Sequence, residues 1–177
     1  MKFSKYLSLI FYVLFLTQIS CAQIPEDRPY CTNPAFDKKI SQTIDFTVPT
    51  IGVEELKEIQ DEVHIFETRK KEEYELSHIP GAQFLGFENV DVHRLEKISK
   101  DSKIVLYCSI GYRSEKIGEK LIELGYSNVH NLYGSIFEWA NQGNEVVNKN
   151  GKPTKKIHTY NKAWSKWVEE GKAEKIW

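Results

Sequence analysis

The sequence predicts an α/β fold in which a central parallel sheet is flanked by helices on both faces. Short apolar runs typical of buried strands alternate with segments in which apolar residues recur at helical spacing. Glycine follows two of the helical segments, at Gly125 and Gly143, where helices commonly end. Regular alternation of strands and helices favours parallel pairing, because parallel strands need a long crossover connection.

The predicted elements follow one another between residues 50 and 147. The first is a short amphipathic helix at 52–60, which places Val53, Leu56 and Ile59 on one face. The remaining elements are a strand at 63–66, a helical turn at 69–77, a strand at 81–87, a helix at 91–99, a strand at 103–107, a helix at 114–126, a strand at 128–132 and a helix at 135–143.

Residues 1–22 have the layout of a secretory signal peptide. Two lysines precede an apolar stretch from Leu7 to Leu16, and small residues follow. The stretch is shorter than the roughly 20 residues that a membrane-spanning helix needs. Cleavage before Gln23 and cleavage before Cys21, with lipid then attached to Cys21 as in bacterial lipoproteins, both remain open. We expect an exported bacterial protein, either periplasmic or held at the membrane only by that lipid anchor.

Two further segments flank the predicted domain. Residues 23–49 are polar and interrupted by four prolines, which predicts an extended leader with little structure of its own. Residues 148–177 follow a turn-rich break, and Tyr160, Trp164 and Trp167 recur there at spacings of three and four. This aromatic stripe predicts a helical extension that packs on the domain.

The composition gives little support for several classes of partner. The net charge is -1, so we expect no nucleic-acid partner. The five histidines are scattered singly without metal-ligand spacing, so we expect neither a metal nor another cofactor. If Cys21 is removed or lipidated, two cysteines remain in an oxidising compartment. A disulfide between Cys31 and Cys108 and a free Cys31 thiol are then both open.

The most informative stretch is the loop that follows the predicted strand at 103–107. Cys108 ends the strand, and the next helix begins near Ser114. Unpaired N–H groups of the loop and of the helix start favour an anion, so a thiol among them shifts toward thiolate. Gly111 can adopt a positive φ, and Arg113 adds a fixed positive charge. A buried structural cysteine is the alternative that this stretch alone leaves open.

Three motifs, in this order, resemble those of the rhodanese family. "FETRKKEEYELSHIPGAQFL" is similar to its first signature, "YCSIGYRS" resembles its active-site loop, and "LYGSIFEWANQG" resembles its final segment. The resemblance covers roughly residues 50–147. It implies a rhodanese-like α/β fold and a sulfurtransferase that needs no cofactor.

The resemblance also implies a role for each site residue. Cys108 would be the nucleophile, taking a sulfane sulfur from a donor such as thiosulfate and passing it, as a persulfide, to a thiol or to cyanide. Arg113 would help to bind the anionic end of the donor. Glu67, where the family commonly has aspartate, and Arg69 would support the site. The loop that would cradle the outer sulfur consists of Ser109, Ile110, Gly111, Tyr112, Arg113 and Ser114.

Two other functions compete with sulfur transfer. Phosphatases and arsenate reductases of this fold have five residues between cysteine and arginine, whereas four separate Cys108 from Arg113 here. The smaller ring suits a single sulfur better than a tetrahedral oxyanion. A non-catalytic rhodanese-like module that binds a partner or senses redox state is the second alternative, and the intact cysteine argues against it.

The remaining charged and aromatic residues of the motifs have structural interpretations. Glu72, Glu73 and Arg69 are expected to form an ion-pair set on the surface that contributes little stability. His78 is expected to support the turn around Pro80 and Gly81, and Trp139 to fill the core.

Overall fold

The computed structural model describes residues 24–177, and at its centre lies a five-stranded sheet. The strand order is β1-β5-β4-β2-β3, and every pairing is parallel. The strands are β1 (Thr50–Ile51), β2 (His64–Glu67), β3 (Gln83–Phe84), β4 (Ile104–Tyr107) and β5 (Val129–Leu132). The predicted α/β architecture is therefore confirmed.

Helices cover both faces of the sheet. Successive residues of β4 alternate between two apolar clusters, with Val105 in one and Leu106 in the other, as the pleat of a strand requires. The helices are α1 (Pro34–Ser41), α2 (Val53–Ile59), α3 (Lys71–Leu76), α4 (Tyr112–Glu123) and α5 (Ser135–Asn141). The first cluster is completed mainly by α1, α2 and α5, and the second by α4.

The predicted helix at 91–99 is wrong. This segment forms only a 3-10 turn at Val92–Leu95, and no side chain caps its start. An uncapped segment this short gains too little from helix propagation to offset the cost of nucleation. Its apolar residues Leu95 and Ile98 nevertheless pack into the second cluster, which accounts for the periodicity in the sequence.

The predicted extended leader is also wrong. Asn33 caps α1 by accepting hydrogen bonds from the N–H groups of Ala35 and Phe36, and Pro34 occupies the first helical position, where proline is favoured. Phe36 and Ile40 are fully buried in the first cluster. Residues 24–49 thus belong to the folded body, whereas the predicted signal peptide and Cys21 lie outside the described residues.

The C-terminal extension packs on the domain, but not as the predicted helix. Its backbone hydrogen bonds are made by short strands, and a 3-10 turn at Ser165–Trp167 replaces the helix. The Trp167 ring stacks on Phe36 with 5.6 Å between ring centroids. The strands of the extension are β7 (Pro153–Thr154), β8 (Lys156–His158) and β9 (Glu174–Ile176). β7 pairs antiparallel with β6 (Val146–Val147) at the end of the domain, and β8 pairs in parallel with β9. Across residues 24–177, the helices are too short or too polar to cross a bilayer.

Replacing Gly134 with alanine is expected to lower the free energy of unfolding by about 2–4 kcal/mol. Gly134 has φ 71°, and an added Cβ would lie 2.6 Å from Glu138 Cβ and 2.8 Å from Cys31 Sγ. Gly151 is the matched control, because its φ is 69° but a Cβ there meets nothing within 4 Å. Gly151→Ala should cost only the backbone penalty of about 1 kcal/mol. Equal losses in urea unfolding of the two variants would contradict the close packing around Gly134.

Candidate active site

Cys108 lies at the carboxyl end of β4, in the loop that leads into α4. Gly111 takes φ 118°, which turns its N–H toward the thiol, and the distance from Gly111 N to Cys108 Sγ is 3.2 Å. The backbone N–H groups of Ile110 and Ser114 also interact favourably with the sulfur. Cys108 is only 1% exposed but borders an open cleft. One donor expected from the sequence, the Gly111 N–H, is therefore hydrogen-bonded to the sulfur.

The environment of Cys108 favours the thiolate. Burial alone would raise the pKa of the Cys108 thiol, but the positive charge of Arg113 and the N–H groups of Ser114, Ile110 and Gly111 outweigh it. The pKa therefore lies below that of an ordinary cysteine. Since the thiolate is the nucleophilic form, the loop prepares Cys108 for attack.

This lowered pKa predicts the pH dependence of Cys108 alkylation. A depressed pKa keeps the thiolate populated at lower pH, so the midpoint of the rate of alkylation by iodoacetamide against pH should lie below about 8.5. Peptide mapping assigns the modified residue. A midpoint at or above that of free cysteine would show that burial dominates over the loop charges.

Arg113 is held by a buried carboxylate. Its guanidinium donates two hydrogen bonds to Glu73, at 2.9 and 3.2 Å, and a third to Ser109 Oγ at 3.0 Å. Burial raises the pKa of Glu73, but the paired guanidinium and the N–H of Lys70 outweigh it, so this pKa is lowered. The expectation that Glu72, Glu73 and Arg69 form a surface set is wrong, because Glu73 and Arg69 are both buried. Glu73 is the site residue that the sequence reasoning missed.

Glu67 and Arg69 form a second buried pair beneath the loop. The Arg69 Nε–H donates to Glu67, and the Tyr107 hydroxyl donates to the other carboxylate oxygen of Glu67 at 2.6 Å. Arg69 Nη2 also donates to the Ser77 carbonyl at 2.6 Å. This network joins the ends of β2 and β4 to the start of the "HIPGA" turn. It supports the strands that carry the loop rather than contacting Cys108.

The other residues of the loop either hold its backbone in place or line the cleft. The Ser114 hydroxyl donates to Asn131 Oδ1 at 2.7 Å, and Asn131 Nδ2 donates to the Gly111 carbonyl at 2.9 Å. Ile110 is buried, whereas Tyr112 is 46% exposed and lines the cleft. The sequence reasoning also missed Asn131, which fixes the loop from β5.

Ser135, at the start of α5, contacts the site directly. It adopts φ 52°, a conformation that favours glycine. Its hydroxyl accepts a hydrogen bond from the Cys108 N–H at 3.2 Å and donates one to the Leu132 carbonyl at 3.1 Å. These two bonds offset the backbone cost and fix the end of β4.

The described cysteines are both free thiols. Cys31 is buried, and burial raises the pKa of its thiol strongly, with the carboxylates of Glu138 and Asp37 adding to the effect. Cys31 therefore remains protonated and unreactive. Of these two cysteines, the one with an activated thiol is Cys108.

Comparison with known proteins gives a consistent picture. A family model described as Rhodanese-like domain matches residues 52–142. A sulfurtransferase of Allochromatium vinosum is 33% identical over 91 residues, covering 51% of this chain and 84% of its own length. A thiosulfate sulfurtransferase (GlpE) of Coxiella burnetii is 29% identical over 90 residues, covering 50% and 83% respectively.

Solved structures support the fold. A protein of Bacillus halodurans (BH2092) superposes with a TM-score of 0.54 at 22% identity, covering 67% of this chain and 89% of its own. A thiosulfate sulfurtransferase of Pseudomonas aeruginosa has a TM-score of 0.53 at 21% identity, covering 59% and 21% respectively. Together with the motifs and the loop around Cys108, these matches show that the chain belongs to the rhodanese-like domain family.

Proposed function

We propose that this protein is a sulfurtransferase that carries sulfane sulfur as a persulfide on Cys108. The observation that carries the proposal is a thiol bordering an open cleft, with the Gly111 N–H 3.2 Å from its sulfur and the Arg113 charge lowering its pKa. A persulfide anion has the same need for surrounding donors as a thiolate. The sulfurtransferases among its relatives support the same activity.

The reaction has two balanced halves. The Cys108 thiolate attacks the outer sulfur of thiosulfate, a new S–S bond forms, and the bond to the sulfonate sulfur breaks so that sulfite leaves with the electron pair. Cyanide or a thiolate then attacks the outer sulfur of the persulfide. The S–S bond to Cys108 breaks, and the thiolate is regenerated with no external oxidant or reductant.

Arg113 serves this chemistry mainly by holding the loop. Its guanidinium is engaged by Glu73 and Ser109, and its side chain is only 15% exposed. The charge still acts on the Cys108 sulfur at short range. Binding of the donor's anionic end by Arg113 remains a prediction, and it requires the anion to approach an already paired cation.

The test is a steady-state assay with thiosulfate as donor and cyanide as acceptor. Thiocyanate and sulfite should form in equal amounts. Double-reciprocal plots at several cyanide concentrations should be parallel, because a persulfide intermediate gives ping-pong kinetics. A protein that forms no thiocyanate from thiosulfate, and takes up no sulfur from any sulfane donor, would be the non-catalytic module instead.

We further propose that the reaction takes place outside the cytoplasm. The proposal rests on the signal-like pattern of residues 1–22. N-terminal analysis of the mature protein from a bacterial host separates the two routes. Cleavage before Gln23 gives an N-terminal glutamine, or the pyroglutamate formed from it, without lipid, whereas a lipidated Cys21 gives a protein that partitions into detergent. A mature protein that retains Met1 would contradict export.

A further inference from the structure

The cleft above Cys108 is partly walled by segments outside the region that matches the family. Its volume is about 1060 Å³, much more than thiosulfate or cyanide needs and at the upper end of small-molecule sites. Lys39 comes from α1, and Tyr160 and Trp164 come from the C-terminal extension. The family match covers residues 52–142 and includes none of these three. We call these three residues the added wall.

Two cation–π contacts involve the residues of the added wall. The Lys39 ammonium lies 5.5 Å from the centre of the Trp164 ring, and the Arg113 guanidinium lies 5.8 Å from the centre of the Tyr160 ring. Trp164 is partly buried and packs against the first apolar cluster, which fixes its position. Lys39 and Trp164 thus join α1 to the C-terminal extension, and Tyr160 lies beside Arg113 in the loop that follows Cys108.

Tyr160 occupies a strained conformation at the rim. Its φ is 66°, where residues with a Cβ are uncommon, and its side chain is 55% exposed. Its N–H donates to His158 Nδ1 at 3.1 Å, which helps to hold this geometry. Such strain persists only where the surroundings impose it, and it concentrates at functional sites.

The charge of the added wall, rather than that of the whole lining, favours an anionic molecule. Five basic and two acidic side chains border the cleft, and the added wall contributes a lysine but no acidic group. Arg69 and Arg113 are paired with Glu67 and Glu73 respectively. Lys71 Nζ lies 3.9 Å from Glu75 Oε1. The lysines at 39 and 70 are the remaining cations, and the glutamates at 72 and 88 balance them in number. The positive charge that the added wall itself brings to the cleft is that of Lys39.

We propose, on the basis of the sulfurtransferase function above, that the added wall binds the sulfur acceptor, and that this acceptor is a peptide-sized thiol bearing carboxylates. Its aliphatic and amide groups would lie along Tyr160 and Trp164, and a carboxylate would pair with Lys39. Its thiolate would attack the outer sulfur of the Cys108 persulfide. The S–S bond to Cys108 breaks, and the products are the acceptor persulfide and the Cys108 thiolate.

The test compares three acceptors with thiosulfate as the donor: the tripeptide thiol γ-glutamylcysteinylglycine, its diethyl ester and 2-mercaptoethanol. The tripeptide should exceed its ester in kcat/KM by about threefold to tenfold, because only the tripeptide offers carboxylates to Lys39. Lys39→Met should bring this ratio close to one. Lys57→Met is the matched control, since Lys57 lies on α2, pairs with exposed Glu54 and is absent from the cleft lining.

Tyr160→Gly provides a second variant that does not depend on charge. Glycine accepts φ 66° without strain, so the melting temperature should not fall sharply while the aromatic surface is lost. The ratio of kcat/KM for the tripeptide to that for 2-mercaptoethanol should fall at least about threefold. The two kcat/KM values in each ratio are measured on the same preparation of a variant. Any loss of folded protein therefore cancels from the ratio.

The outcomes separate the two proposals. If sulfur reaches Cys108 and is returned to cyanide, but the tripeptide and its ester react equally well, the acceptor inference is wrong and the sulfurtransferase function stands. An unchanged ratio in Lys39→Met also contradicts the inference. If Cys108 takes up no sulfur from thiosulfate or any other sulfane donor, the proposed function itself fails, and the acceptor inference with it.

Discussion

Replacing Cys108 with serine is expected to lower thiocyanate formation from thiosulfate by at least about 10³-fold, because no other group in the described chain replaces the lost nucleophile. The hydroxyl is close in size to the thiol and can still accept a hydrogen bond from Gly111 N–H. The fold should therefore be retained. The loss should appear in kcat and in kcat/KM together.

Cys31→Ala is the matched control for this result. Cys31 is a free thiol outside the cleft lining, and its raised pKa keeps it protonated. Activity should stay within about twofold of the parent protein, since cysteine-to-alanine removes only one buried atom. A Cys108→Ser variant as active as the parent, or a Cys31→Ala variant as inactive as Cys108→Ser, would remove the enzymatic role of Cys108.

Glu73→Gln is expected to cause the largest loss of stability, about 3–5 kcal/mol in the free energy of unfolding. The amide keeps the size of the side chain but removes the negative charge that Arg113 faces. Glu73 is 2% exposed and the Arg113 side chain 15%, so water can replace the lost partner only in part. Because Arg113 also contacts Ser109, sulfur transfer should fall along with stability.

A double-mutant cycle distinguishes this pair from the exposed ones. Combining Glu73→Gln with Arg113→Met removes both charges, so the double variant should be clearly more stable than the sum of the single losses predicts. Glu54→Gln is the control, because its pair with Lys57 is exposed and should change stability by less than about 1 kcal/mol. Additive losses for Glu73 and Arg113 in urea unfolding would show that the buried pair does not couple.

The part of the site that the sequence predicted is local. A strand ending on Cys108, a glycine with positive φ at Gly111 and a helix start close behind are all set within seven consecutive residues. Short-range geometry of this kind follows from φ/ψ preferences and hydrogen-bonding needs. The structure differs only in starting α4 at Tyr112 instead of near Ser114.

The part that the sequence did not predict depends on contacts between distant residues. Glu73 lies in a highly charged run that is typical of an exposed helix face, yet it is paired with Arg113, 40 positions away. Asn131 reaches the loop from β5, which no local pattern indicates. Long-range partners of this kind are decided by the packing of α3 and β5 against the loop.

The composition of the two flanking segments does not predict their secondary structure. The proline-rich, polar sequence of residues 24–49 contains two apolar anchors, Phe36 and Ile40, which are buried in the first cluster, where Phe36 stacks on Trp167. The aromatic spacing of the C-terminal extension matches a helix, but its backbone pairs as strands β8 and β9. For the C-terminal extension, the aromatic spacing therefore predicts the packing on the domain correctly but not the secondary structure.

The decisive measurement is mass spectrometry of the protein after exposure to thiosulfate, carried out on the intact chain and on its peptides. We expect the intact chain to gain the mass of one sulfur atom and the digest to locate it on the peptide that contains Cys108. Cyanide should remove the added mass, and Cys108→Ser should gain none. An unmodified Cys108 peptide after treatment with thiosulfate and with other sulfane donors would contradict the claim that this loop stabilises a sulfur anion on Cys108.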